Sequence, residues 1–216
     1  ANVETCFYTL TSSDSFSSNS YCYDISSASN KEEVLQNVIL NPVIASLKSF
    51  EEFPNAVPNF SMPSSVLSIF SKSRTLDPYF AEVRTGLSTG DNERFYKLSW
   101  EPPASSSGWY FLSNGGDFSP YYRPNQEIID WRSNGRPITE YKDQNNKLVS
   151  RPQNLGYCCR RGLSYGKRGK YLSVHTHPED KYFTNEGQGI FPDSKNTSFM
   201  LLSLINSKLL RAIINE

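Results

Sequence analysis

The stretch 144–178 carries Lys147, Arg151, Arg160, Arg161, Lys167, Arg168 and Lys170, and no acidic residue. Lysine and arginine neutralise phosphates, and arginine also pairs bidentately with guanine in the major groove. Gln153, Asn154 and Ser164 lie among them and carry groups that read base edges. Tyr165 and Tyr171 offer stacking faces or hydroxyls for phosphate. Gly162, Gly166 and Gly169 let the backbone approach closely. Charges dispersed over a solvated loop are the ordinary alternative. Seven cations in 35 residues without one acid favour nucleic-acid contact instead. His175-Thr176-His177 would place both imidazoles on one face of a strand. A surface strand, a metal pair, or contact with phosphate or a base edge all fit that spacing. No acid or cysteine stands at a suitable distance, so no metal is expected.

Other chemistries find weaker support. A nucleotide-binding loop needs glycines between a strand and a helix, and the close pair Gly187-Gln188-Gly189 has nothing phosphate-binding beside it. Adenine methylation needs an Asn/Asp/Ser-Pro-Pro-aromatic loop to grip a flipped base. Glu101-Pro102-Pro103-Ala104 is wrong on both flanks. Glu140-Tyr141-Lys142 and Glu179-Asp180-Lys181 match the E-x-K half of a Mg²⁺ nuclease, but neither follows a Pro-Asp strand. No catalytic residue is assigned. Cys6, Cys22, Cys158 and Cys159 form no C-x-x-C pair, so reduced thiols in a cytoplasmic protein are expected.

The 216 residues hold 22 basic and 22 acidic side chains. The zero sum is a cancellation: residues 1–80 carry four basic and eight acidic residues, a net of −4, and 81–216 a net of +4. The 13% aromatic content argues against disorder. No apolar run approaches the ~18 residues of a membrane span, and the basic stretch lacks an amphipathic helical period. No membrane partner is expected. No secretory leader is visible, the first residue is Ala1, and an apolar helix is still running at Glu216. The chain reads as a piece of a longer protein, cut at both ends.

These residues need elements to hold them. Residues 3–10 and 21–25 read as a hairpin across a serine-rich turn. Asn30-Lys31-Glu32-Glu33 reads as a capped helix start, with Val34, Leu35, Val38 and Ile39 at helical spacing, ended by Pro42. Pro54, Pro58 and Pro63 make a connector, and Pro63 would open a short helix through Phe70. Beyond Ala81 the pattern predicts strands over 95–100, 108–112, 169–176 and 187–191. Turns are predicted at Asn114-Gly115-Gly116-Asp117, Ser133-Asn134-Gly135 and Asn145-Asn146. A single helix is predicted from Thr197 to Asn215.

One segment goes beyond composition. Ala81-Glu82-Val83-Arg84-Thr85-Gly86-Leu87-Ser88-Thr89-Gly90-Asp91-Asn92-Glu93-Arg94-Phe95 resembles a signature of large adenine-specific DNA methyltransferases from bacterial restriction and phage-defence systems. These include the BREX methyltransferases and single-chain type II enzymes. Four further blocks follow in the family's order. They are Trp109-Tyr110-Phe111 with Gly115-Gly116-Asp117-Phe118 and Tyr121-Tyr122; Glu127 to Trp131 with Asn134-Gly135; Ser150 to Asn154 with Tyr157, Gly162 and Leu163-Ser164-Tyr165; and Gly189-Ile190-Phe191-Pro192 with Leu201 to Lys208. The run covers roughly 63–210. Asn114 and Tyr121 depart from the family's Lys and Trp at those positions.

The resemblance implies a target-recognition region. Residues 1–40 would close the methyltransferase domain, 41–62 connect, and 63–216 form the target-recognition domain. The fold would be α+β, a mixed curved β-sheet with flanking helices. Double-stranded DNA and the upstream methyltransferase domain would be the partners. S-adenosylmethionine would serve the parent protein, with no cofactor in this chain. DNA contacts are expected from Arg151, Gln153, Asn154, Arg160, Arg161, Tyr165, Lys167, Arg168, Lys170 and His175. Gly86, Thr89, Gly90, Asp91 and Asn92 are expected to lock the signature loop's own turns. The alternative is a protein-docking domain of a defence complex, using Trp109, Tyr110, Phe111, Tyr121 and Tyr122.

Overall fold

The computed structural model describes residues 19–23, 25, 28–38, 42–46, 51, 64–124, 126–169 and 171–215. Its contacts separate two units, Ala1–Arg74 and Thr75–Glu216.

In the first unit, β1 (Asn19–Cys22) pairs antiparallel with β2 (Val43–Ser46). The expected partner strand at 3–10 and the prolines of the connector lie outside the described residues. The helix Lys31–Val38 starts as its residues dictate. Asn30 Oδ1 accepts from the Glu33 N–H at 3.3 Å, and the Asn30 amide donates back to the Glu33 carboxylate at 3.1 Å. This reciprocal cap satisfies a backbone donor that the helix itself cannot reach. A second helix spans Ser64–Lys72.

The second unit is α+β, with two four-stranded sheets where one was expected. The first has strand order β3-β10-β7-β8 and is antiparallel throughout. It comprises β3 (Ala81–Arg84), β7 (Gly162–Gly166), β8 (Val174–His177) and β10 (Gly187–Pro192). The second has order β4-β6-β5-β9, from β4 (Tyr96–Leu98), β5 (Trp109–Ser113), β6 (Glu127–Asp130) and β9 (Lys181–Phe183). It is mixed, because β5 and β9 run parallel. Several of these strands are only three or four residues long, too short for alternation to show in the sequence. Of the predicted strand 95–100, Tyr96–Leu98 forms β4, and the helical turn Asn92–Phe95 takes its first residue. The Asp91 carboxylate caps that turn by accepting from the Arg94 N–H at 3.1 Å.

Two apolar clusters fill the unit. Leu87, Phe95, Leu112, Ile129, Trp131, Ile138 and Tyr182 form one, and Ala81, Leu163, Val174, Ile190, Leu201 and Ile205 the other. A seam joins the sheets. The rings of His177, Phe183 and Phe191 meet edge to face at 5.3–6.1 Å, and Ser113 Oγ lies 3.0 Å from His177 Nδ1. Gly187 and Gly189 belong to β10, within this close approach. A side chain at Gly187 would strike the Ser113 carbonyl, and one at Gly189 the Phe191 ring.

The single C-terminal helix predicted from Thr197 is two helices, Lys195–Ile205 and Lys208–Asn215. The break has a cause. Asn206 is buried, and its side chain accepts from the Val174 N–H at 3.0 Å while donating to the carbonyls of Val174 and Leu202, both at 2.8 Å. It thereby pairs the outer edge of β8 at Val174, beside the bridge that Tyr121 makes to the same edge. Among the described residues no single helix is long and apolar enough to cross a membrane.

Candidate nucleic-acid interface

The residues expected to touch DNA divide between the two ends of β7. Arg160 and Arg161 precede the strand, and Lys167 and Arg168 follow it. At about 3.3 Å per residue, Arg161 and Lys167 stand roughly 20 Å apart.

At the first end, most of the polar side chains bond to the protein itself, although they lie at the surface. Gln153 Nε2 donates to the Gly86 carbonyl and Asn154 Nδ2 to the Thr85 carbonyl, both at 2.9 Å. Asn154 takes a left-handed backbone, φ 54°. Arg160 pairs with Glu82 at 3.3 Å, and its guanidinium lies over the rings of Tyr157 and Phe191. Glu82 is the hub of this end. It accepts from the Tyr157 hydroxyl at 2.7 Å and from Arg84 at 2.8 Å. The Tyr157 hydrogen bond, with Arg84 and Arg160 alongside, holds its carboxyl below the ordinary range. Arg161 pairs with Glu179 at 3.2 Å. Arg151 is exposed and, among the described residues, has no ion pair; its backbone bridges to Ser88.

This end also holds the signature loop, whose hydrogen bonds stay within the protein. Thr89 Oγ1 donates to Asn92 Oδ1 at 2.7 Å and accepts from the Asp91 N–H at 3.2 Å. Tyr141 donates its hydroxyl to the Asp91 carboxylate at 3.3 Å. A Cβ at Gly86 would collide with the Phe183 carbonyl, and Gly90 has φ 79° against Val149. Close approach requires the first glycine, and backbone handedness favours the second.

At the second end, the side chains face outward. Lys167 is exposed and has no ion pair among the described residues. Arg168 is 82% exposed and reaches Glu186 at 3.3 Å. An ion pair that open to water contributes little, and a phosphate can replace the carboxylate. The turn meets the loop at Gly115-Gly116-Asp117-Phe118, and the two enclose a cleft of about 450 Å³ lined by Gly116, Asp117, Phe118, Arg168, Gly169 and Tyr171. Next along the chain, Tyr121 and Tyr122 are exposed. Tyr121 has φ 71°, strained for a bulky residue, and is held by backbone hydrogen bonds to Val174 and Thr176 on β8. Tyr165 contributes less than expected, since it is half-buried and its hydroxyl donates to Gln188 at 2.7 Å. Lys170 lies outside the described residues.

His175 requires a correction. The expected DNA contact is only 4% exposed. It shares a face with His177, as the alternation predicted, but that face is the interior of the seam. Burial, with the charges of Arg123 and Lys181, pushes His175 down to about 4; burial, with Lys181 and His175, does the same for His177. Both rings are neutral at physiological pH and carry no charge for a phosphate. His175 Nδ1, His177 Nε2 and Ser164 Oγ are buried without a hydrogen-bond partner among the described residues. Lys181 is 2% exposed, and burial lowers its amine.

Among the described residues no three of His, Cys, Asp and Glu group as a metal site. Glu179 pairs with Arg161 at the surface while Lys181 is buried, and Glu140 pairs with Arg136. Gly187 and Gly189 lie inside a strand, so they form no phosphate loop at a strand–helix junction. Cys22, Cys158 and Cys159 are free thiols.

The sequence placed Glu82 in the signature segment and Glu179 in an E-x-K triplet, but the pairing of Glu82, Glu179 and Glu186 with Arg160, Arg161 and Arg168 was not legible, because these acids lie outside the acid-free stretch. The sequence reading also missed Asp117, Phe118 and Tyr171 as one group, although the glycine turn at 115–116 was visible. No protein family and no curated protein matches this chain.

Proposed function

We propose that this chain is the target-recognition region of an adenine-specific DNA methyltransferase of the restriction or phage-defence kind. In this reading the Thr75–Glu216 unit is the target-recognition fold and binds duplex DNA in the cytoplasm. One observation carries the reading. Lys167 and Arg168 stand exposed at the end of β7, beside a cleft and exposed aromatic rings. Cations hold phosphates and set register, while neighbouring groups meet bases. Methyl transfer and S-adenosylmethionine belong to a methyltransferase domain upstream of these residues. The strand setting of Gly187 and Gly189 does not fit that cofactor here.

Salt dependence tests the proposal. Duplex affinity should fall steeply between low and physiological salt. Lys167→Ala with Arg168→Ala should flatten that slope by about 2, near 0.9 for each phosphate released. Unchanged duplex binding by the double variant would sink the assignment. Exposed Tyr110, Tyr121 and Tyr122 support a second reading, a surface that docks another protein. A stable protein partner, with no DNA binding at any salt concentration, would favour it.

A further inference from the structure

We infer that the cleft lined by Gly116, Asp117 and Phe118 on one side and by Arg168, Gly169 and Tyr171 on the other takes one unstacked nucleobase, and that the base carries an exocyclic amine. The inference rests on the DNA-recognition reading and adds the form in which a base is met. A cleft of about 450 Å³ admits a nucleobase with part of its sugar. Phe118 and Tyr171 line it, each 45% exposed, with their rings edge to face at 6.2 Å and 77°. A planar ligand stacked on one ring presents its own edge to the face of the other, the arrangement aromatic quadrupoles prefer. The Arg211 guanidinium lies 5.1 Å from the Phe118 centroid and helps hold that ring in place. Gly116, at φ 116°, and Gly169, at φ 151°, bring backbone to the cleft lining, and the Arg123 guanidinium packs where a Cβ at Gly116 would stand.

Asp117 supplies the selectivity. It is exposed and lines the cleft near Arg168. A carboxylate there repels phosphates, so it does not serve backbone binding. It is suited to accept from the amine of cytosine, adenine or guanine, as acidic side chains accept from cytosine N4. Thymine and uracil flank their one ring N–H with two carbonyls, which a carboxylate repels. Arg168, at the same rim, is placed for the phosphate of the nucleotide whose base enters. Stacking on exposed aromatics is how proteins hold bases outside a duplex.

Oligo-dC and oligo-dT test this directly, since both are pyrimidine strands and differ at the exocyclic group. The whole chain should bind oligo-dC about tenfold more tightly than oligo-dT at physiological salt, by fluorescence anisotropy. Asp117→Asn should abolish the preference. Phe118→Ala should weaken oligo-dC about tenfold while leaving duplex affinity within twofold. A duplex with one abasic site opposite cytosine distinguishes an extrahelical base from a single strand: tighter binding than to intact duplex assigns the cleft to extruded bases, and equal binding to single strands. Equal binding of the two oligomers by the unaltered protein, with salt-dependent duplex binding intact, overturns the inference and leaves the DNA reading standing. Binding to neither duplex nor oligomer overturns both.

Discussion

The two ends of β7 carry the same residue types and do different work. Arg160 and Arg161 precede the strand, and each finds an acid, Glu82 and Glu179. The neighbouring amides of Gln153 and Asn154 close backbone gaps at Gly86 and Thr85. Lys167 and Arg168 follow the strand and stand exposed beside Phe118 and Tyr171; Arg168 also reaches an acid, Glu186, and Lys167 has no ion pair among the described residues. The first end bonds more of its side chains to the protein, and the second sets its cations beside a cleft. Positive charge along a sequence is therefore no measure of positive surface. Acids from outside the stretch pair with Arg160, Arg161 and Arg168, while Lys147, Arg151 and Lys167 have no ion pair among the described residues.

The difference can be broken outright through the seam that supports both ends. His175 and His177, neutral when folded, have values near 4 against an ordinary 6.5. The unfolded chain binds their protons more tightly, so protonation favours unfolding. Stability should be fully present above about pH 6.5 and fall as the pH drops towards 4, by about 3 kcal/mol per histidine at most. Urea unfolding between pH 7 and 4 measures it. A flat profile would contradict neutral burial.

Glycine substitutions should separate the two ends by their cost in stability. Gly86→Ala should cost about 3 kcal/mol, because its Cβ meets the Phe183 backbone and no side chain can yield. Gly169→Ala meets only the Tyr171 carbonyl, at 3.7 Å, and should cost about 1 kcal/mol for its backbone angle alone. Thermal unfolding of the two variants ranks them.

Charge removal should act in opposite ways at the two ends. Alanine at both Lys167 and Arg168 should weaken duplex binding about tenfold or more and leave the melting temperature unchanged, since exposed pairs contribute little to stability. Alanine at Arg160 should lower stability, through loss of its Glu82 pair and ring contacts, with a smaller effect on binding. The smallest effect is expected from Gln153→Ala, about 1 kcal/mol of stability for one lost hydrogen bond, with DNA affinity unchanged in a binding titration. A large affinity loss there would put the first end back in the interface.

Much of the local structure was legible in advance. Asn30 and Glu33 announced a helix start, and the reciprocal cap forms. Each predicted turn in the second unit contains positive-φ residues: Gly115 and Gly116, Ser133, Asn134 and Gly135, and Asn146. The strands at 108–112 and 187–191 appear as Trp109–Ser113 and Gly187–Pro192. The helix break at Asn206 was not legible, because an asparagine is a weak local signal and its partners lie on β8. Nor was the burial of His175, since strand alternation says which residues share a face and not which face is covered.

From the amino acids alone came what neighbours in the chain decide: caps, turns, strand faces, the acid-free basic stretch and the glycine-bounded signature loop. These depend on local sterics and hydrogen bonds that span a few residues. Tertiary structure decided which cations keep their charge for a ligand, which imidazoles lose it to burial, and which aromatic rings meet across a cleft. Coulomb pairing and desolvation act through space, between residues such as Glu82 and Arg160 that lie 78 positions apart, and no spacing rule along the chain encodes them.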